Sequence, residues 1–426
     1  LSRRSREEQV DRLLLLLPTT TYRTEDFVDA ATALGVDLIC ASEAPSTFEA
    51  LAPDHLLTLD FGDPAGAADS VARFAERRPL RAVVGVDDRT TVTAAAIAAR
   101  LGLRANSVAS ASAARNKHRM RERLAGAGVP QPAYQLIALD GDLAASARAI
   151  EYPCVLKPLA LSASRGVIRA DDTAGFARAA ARIRAILDGP DVTVDEDARR
   201  TILVEEFVPG VEVALEGLLV DGELRVLALF DKPDPLDGPY FEETIYVTPS
   251  RLPGDAQKAI AGTTAAACRA LGLTDGPVHA ELRVNDRGPW VIEVAARSIG
   301  GLCSRTLRFG TGMTLEELIL RHALGWPLLS TDRDRRPAGV MMIPIPRAGR
   351  LAAVCGIEAA RAVPGVEDVV ISAHPGQELV PLPEGWQYLG FIFARAETPE
   401  TVEAALRAAH AHLAFDIDGD PVHHHG

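Results

Sequence analysis

Three observations predict a multidomain fold, α/β at its start and α+β beyond. Over the first hundred residues short apolar runs alternate with helical patterns, the rhythm of parallel strands joined by crossover helices. From Ser110 that rhythm gives way to longer strand-like runs joined by turns, including a strand–turn–strand between His279 and Arg297. A chain of 426 residues also exceeds one simple core, so two to four subdomains are expected.

Taken in order, Leu13–Leu17, Val36–Cys40, Leu56–Leu59 and Ala82–Val86 read as buried strands, with helices at Glu25–Leu34, Ala65–Glu76 and Thr90–Leu101 between them. The leucine run is too short for a signal peptide or a membrane span. No Gly-x-Gly-x-x-Gly follows the first strand, where the loop is Pro18-Thr19-Thr20-Thr21-Tyr22-Arg23, so no dinucleotide site is expected there. Residues 112–128 carry a basic amphipathic pattern and read as one helix, stopped by glycine and Pro130. Strands are expected at Cys154–Lys157 and Val167–Ala170, around a small-residue loop at Leu161–Gly166. A helix at Thr173–Leu187 leads into an acidic, turn-rich connection at Asp188–Arg200. Strands resume at Thr201–Phe207, Val211–Val220 and Leu224–Phe230, followed by a Pro/Asp/Gly-rich loop at Asp231–Thr244. Helices at Gly254–Leu271 and Leu315–Leu324 flank the hairpin, and a tail of about ninety residues after Pro337 mixes strand and helix patterns.

Composition narrows the function. A net charge of −13 argues against general affinity for nucleic acid or an anionic membrane. Cys40, Cys154, Cys268, Cys303 and Cys355 are scattered without metal-ligand spacing, which favours a reducing cytoplasm over a disulfide framework. The terminal His423-His424-His425 is set aside as a tag remnant.

The chemistry-bearing residues lie in an ordered series. In the hairpin, Asn285-Asp286-Arg287-Gly288 is turn chemistry, and pairing across it would bring Glu281 and Glu293 to one face with Arg297 just beyond. Two hard oxygen donors and a guanidinium suit a divalent cation bridging phosphates; two solvated glutamates are the alternative. Lys157, expected to leave its strand into an open cleft, precedes Leu161-Ser162-Ala163-Ser164-Arg165-Gly166, whose backbone N–H groups suit a phosphate. A surface lysine beside an ordinary turn is the alternative there. Leu203-Val204-Glu205-Glu206-Phe207-Val208-Pro209-Gly210-Val211-Glu212 suits a purine edge followed by ribose hydroxyls, or is an edge strand and turn. Lys117 on the basic helix is either a phosphate contact or part of a solvated face. Cys303 lacks a paired base and reads as a buried or pocket-lining thiol. His279 lies on the strand face of Glu281 and either touches substrate or is an interior histidine.

Jointly these segments resemble the ATP-grasp superfamily over roughly Ser110–Leu324, and within it the L-amino-acid ligases that make dipeptides. The segments carrying that likeness are Ala113-Ala114-Arg115-Asn116-Lys117, Val155-Leu156-Lys157-Pro158, Asp231-Lys232, His279-Ala280-Glu281 and Glu293-Val294-Ala295-Ala296-Arg297. The resemblance implies a Rossmann-like α/β domain over residues 1–110 and an ATP-grasp fold with a small subdomain (111–205) and a large one (206–335). An α+β lid would follow over 336–426. It implies ATP and Mg²⁺ or Mn²⁺ as cofactors. Lys117 and Lys157 would contact phosphates, with Ser162 and Ser164 in the loop closing over them. Glu205, Phe207 and Val208 would read adenine and Glu212 would bind ribose. Glu281 and Glu293 would ligate the metal. Arg297 would steady the transferred phosphoryl group, while His279, Gly300 and Gly301 would face the substrate. Ala295 stands where many members carry an asparagine, which puts a second metal in question. The implied reaction joins a small-molecule carboxylate to an amine through an acyl phosphate, releasing ADP, in a protein that forms a homodimer. The alternatives are an ATP-grasp ligase or carboxylase-like enzyme for a non-amino-acid carboxylate, and a non-catalytic ATP-binding protein.

Overall fold

The computed structural model describes residues 11–46, 49 and 51–418, so His423–His425 lie outside the described residues. Its first sheet is fully parallel, in the spatial order Leu56–Thr58, Asp37–Ser42, Arg12–Leu16 and Ala82–Gly85. The leucine run explains how it is covered on both faces. Leu13 and Leu15 pack with Phe27, Ala30 and Ala31 of the helix Thr24–Leu34, whereas Leu14 and Leu16 pack with Val71, Phe74 and Ile97 of the helices Pro64–Ala75 and Asp88–Leu101.

An antiparallel four-stranded sheet follows, in the order Tyr134–Ala138, Thr201–Glu206, Cys154–Pro158 and Ile168–Ala170, backed by the helix Thr173–Leu187. The largest sheet has eight antiparallel strands: Gly288–Ala295, Gly276–Asn285, Val211–Val220, Glu223–Lys232, Ile245–Thr248, Ala338–Ile343, Gly390–Arg395 and Val366–Ile371. One face is covered by the helix Gly254–Leu271. The other joins the N-terminal domain in a continuous core running from Leu13 and Phe27 to Phe230, Met342 and Phe391. The C-terminal α+β part therefore donates three strands to the large sheet, and a small sheet of Glu378–Leu379, Gly349–Cys355 and Ala414–Asp418 packs beside it.

Several elements coincide with the expected ones: Thr173–Leu187, Val211–Val220 and Gly254–Leu271 match to the residue. The expected single helix over 112–128 is instead two, Val108–Arg115 and Lys117–Gly126. Asn116 breaks it, with φ −96° and ψ 113°, and its side-chain oxygen accepts from His118 N–H and Arg119 N–H. An asparagine that caps the second helix cannot also continue the first. Ile245–Thr248 was not expected as a strand, and a short helix, Glu196–Arg200, ends the turn-rich connection. Among the described residues no helix is long and apolar enough to cross a membrane.

Candidate active site

The three larger sheets border one cleft of about 380 Å³. Lys117, Lys157, Ser162, Ser164, Glu205, Phe207, Val208, Glu212, His279, Glu281, Glu293, Arg297, Gly300 and Gly301 all line it. Elements from distant parts of the chain thus bring every expected site residue to a single place, although the environments of several differ from expectation.

The hairpin pairs as anticipated: Glu281 and Glu293 are direct partners across Gly276–Asn285 and Gly288–Ala295. Beyond them the register slips, with Leu282 opposite Val291. A bulge at this point re-aims neighbouring side chains. The carboxylates nevertheless part company. Glu281, Glu212 and Glu243 offer oxygens within 4.8 Å of one another, whereas Glu293 faces the Lys117 ammonium at 3.6 Å. Lys232 lies amid the first group, 2.9 Å from Glu212, 2.5 Å from Glu243 and 3.2 Å from Glu281. Burial and the neighbouring Glu281 raise Glu243 to about 7 despite Lys232. The three converging carboxylates of Glu212, Glu243 and Glu281 are a donor set that would suit a divalent cation, and Glu293 lines the same cleft.

Glu212, expected to bind ribose, is therefore held in an internal network, with one oxygen on Lys232 and the other on Arg283 at 3.1 Å. His279 is an interior residue that also lines the cleft. Its Nδ1 lies 3.2 Å from Glu216 and its Nε2 3.5 Å from Glu281. Burial opposes its charge, but the two carboxylates prevail and lift it to about 9.

The phosphate side also needs correction. Lys157 does not enter an open cleft; it is only 7% exposed, and its ammonium meets Glu205 at 2.7 Å. Arg121 donates to the other Glu205 oxygen at 2.6 Å. Burial alone would raise Glu205, yet the two cations bring it down to about 2. The Glu205 side chain is thus an anchor for two cations, which leaves only its backbone groups for the expected reading of adenine. Lys117 opens its helix and donates through Nζ to Leu161 O at 2.7 Å, tying it to the small-residue loop.

In that loop Ala163 and Ser164 both hold φ 54°, a left-handed conformation that side chains seldom adopt, and functional loops tend to concentrate such strain. Gly166 is required: its φ is +72°, and a Cβ would sit 2.7 Å from Pro158. Its N–H donates to Pro383 O, linking the loop to the C-terminal part. In the hinge, Phe207 N–H is engaged by Pro153 O and Val208 O accepts from Arg283, so these groups already have partners within the protein. The Phe207 ring lies between the guanidiniums of Arg169 (4.2 Å) and Arg283 (5.0 Å).

Arg297 is pinned from the N-terminal domain, since its Nε and Nη2 both donate to Asp88 Oδ2, at 3.1 and 2.8 Å. Burial would disfavour its charge, and Asp88 more than offsets this, raising Arg297 above its ordinary value. Asp88, Glu243, Arg121 and Lys232 had no assigned role in the sequence reading. A signal existed for Asp88: it opens a helix at the carboxyl end of a parallel strand, where ligands gather in open α/β sheets. Ala295 sits opposite His279 in the hairpin register. Cys303 is a buried cleft-lining thiol, as expected, and burial pushes its pKa up.

An N-terminal parallel domain and two antiparallel sheets, closing cationic and acidic sets into one cleft, define the ATP-grasp class. A model described as an ATP-grasp domain matches residues 150–306. One described as an ATP-grasp N-terminal domain matches 28–103, and one described as L-amino acid ligase C-terminal domain 2 matches 341–418. The chain belongs to the ATP-grasp superfamily. The crystal structure of an L-amino acid ligase from Bacillus licheniformis superposes with a TM-score of 0.79 at 25% identity, covering 96% of this chain and 99% of that one. Alanine–anticapsin ligase of Bacillus subtilis is 30% identical over 234 residues, 52% of this chain and 49% of that protein. The match thus spans about half the length of that ligase. The uncharacterized protein y4rH of Sinorhizobium fredii is 24% identical over 404 residues, covering 94% of this chain and 82% of that protein.

Proposed function

We propose that this protein is an ATP-dependent ligase that joins an L-amino acid, through its carboxylate, to the amine of a second amino acid, releasing ADP and phosphate. The observation that carries this reading is the meeting of Arg297 with the acidic and cationic sets in one interdomain cleft. A carboxylate is a poor acyl donor because its leaving group would be oxide, so it must first be phosphorylated. Lys117 and Lys157 hold the phosphates of ATP, and the strained loop Leu161–Gly166 lies against them. Glu281, Glu243 and Glu293 would hold Mg²⁺ or Mn²⁺, which supplies charge neutralisation on the triphosphate. Arg297, oriented by Asp88, steadies the acceptor carboxylate and then the tetrahedral oxyanion as the amine displaces phosphate. The large interdomain contact keeps bulk water from the acyl phosphate.

The test is a coupled ADP-release assay across an amino-acid panel, repeated with hydroxylamine as the amine. A hydroxamate accompanied by ADP is expected. A hydroxamate accompanied by AMP and pyrophosphate would mean an adenylate, and would overturn the reading.

A further inference from the structure

Tyr22, Met342, Trp386 and Tyr388 reach the cleft from the N-terminal loop, a strand of the large sheet and the C-terminal part, and no part of the mechanism above uses them. Tyr22 and Tyr388 form a built wall around one ring. Tyr22 packs edge-on against Phe391 with ring centroids 5.3 Å apart, and Tyr388 packs against the same ring at 6.1 Å. Tyr388 N–H donates to the Tyr22 hydroxyl at 3.3 Å, joining two segments that lie at opposite ends of the chain. The Tyr22 loop is fixed in turn by Arg23, which donates to Ser298 Oγ at 2.7 Å, directly after Arg297.

In the same cleft, Gly300 and Gly301 contribute no side chains. A Cβ at Gly300 would meet nothing within 4 Å, so the space above it is open. Gly301 holds φ +59°, and a Cβ there would press on the Phe391 ring at 3.0 Å. Aromatic side chains and bare backbone thus line the cleft together with Arg297.

We infer that Tyr22, Met342, Trp386 and Tyr388 form the side-chain subsite of the acid substrate, and that this subsite selects an L-amino acid with a large apolar or aromatic side chain. The inference rests on the ligase reading and names its substrate class. Polar anchors fix orientation while the apolar walls of such a pocket set the size that fits.

The test isolates the acid position by using hydroxylamine as the sole amine. Hydroxamate and ADP are followed with L-phenylalanine, L-leucine and L-methionine, and with glycine, L-alanine and L-lysine. The large apolar acids should exceed glycine in kcat/KM by about a hundredfold. Trp386→Ala should narrow the phenylalanine-to-alanine ratio by about tenfold or more, through a higher KM for phenylalanine. Equilibrium titration of the unaltered protein with the same acids, in the presence of Mg²⁺ and a non-hydrolysable ATP analogue, gives a readout independent of turnover and of any variant's folding. Glycine, alanine or lysine turned over as well as phenylalanine, with ADP still released, would overturn the inference and leave the ligase reading standing. Selective binding of phenylalanine without ADP release from any acid would do the reverse.

Discussion

Around Glu205 one carboxylate is gripped by two cations, Arg121 and Lys157; around Lys232 one cation is crowded by the three carboxylates of Glu212, Glu243 and Glu281. Lys157 and Glu205 of the first set and Glu212, Glu243 and Glu281 of the second line the same cleft. The first has positive charge to offer a polyanion. The second gathers three carboxylates that could act as donors to a cation, with Arg283 and His279 also engaging Glu212 and Glu281. Under the ligase reading, the first set would meet the phosphates of a nucleotide and the second its metal.

The largest expected effect breaks the first set. Glu205→Ala leaves the Arg121 and Lys157 charges buried without their shared partner, and removing one member of such a group costs about 3–5 kcal/mol. Urea unfolding without nucleotide should register the loss. The same group governs acid stability. Its carboxyl titrates near 2 when folded, against an ordinary 4.5, so its contribution is complete above 4.5 and is lost as the pH falls through 2. That portion amounts to about 3 kcal/mol and should be missing from the variant's pH profile. Unfolding curves that superimpose on the parent between pH 2 and 5 would show that Glu205 is not a buried anchor.

Which parts of this were legible in the sequence follows from the range of each interaction. Val211–Val220 and Thr173–Leu187 could be read to the residue because apolar period and turn residues act locally. The pairing of Glu281 with Glu293 was legible for the same reason, since a hairpin sets register through its turn. The grip on Glu205 was not, because Arg121 lies 84 residues away and only the tertiary fold joins them. Read locally, Lys157 therefore looked solvent-facing. Asn116 failed differently: the amphipathic pattern runs straight through it, and only the capping hydrogen bonds reveal the break. Ile245–Thr248 is four residues after a proline-rich loop, too short for periodicity to register.

The second set can be sharpened by removing one of its charges. Glu281→Gln keeps volume and takes away a candidate metal ligand, so turnover should fall by about a hundredfold, equivalent to about 3 kcal/mol of transition-state stabilisation. The Mg²⁺ concentration for half-maximal rate should rise alongside. Because Glu281 is one of the causes holding Glu243 up, Glu243 should titrate lower in the variant. Turnover within a few fold of the parent at ordinary Mg²⁺ would remove Glu281 from the metal site.

The smallest effect concerns the pair lying between these extremes, in which one cation meets one carboxylate. Arg297 and Asp88 are balanced, 209 residues apart, and joined across the N-terminal domain boundary. Asp88→Asn preserves shape but removes the charge that orients the guanidinium, while Ser298 O still accepts from Arg297 Nη1. A less neutralised Arg297 should hold the acid substrate no more weakly, and with poorer aim. The expected result is therefore a kcat about tenfold lower, about 1.4 kcal/mol, with KM for the acid unchanged or reduced. KM for ATP should stay close to the parent value, since Lys117 and Lys157 are untouched. If kcat is retained while thermal unfolding shifts downward, Asp88 merely fastens two domains together. A drop in kcat with KM held would mark it as the residue that aims Arg297.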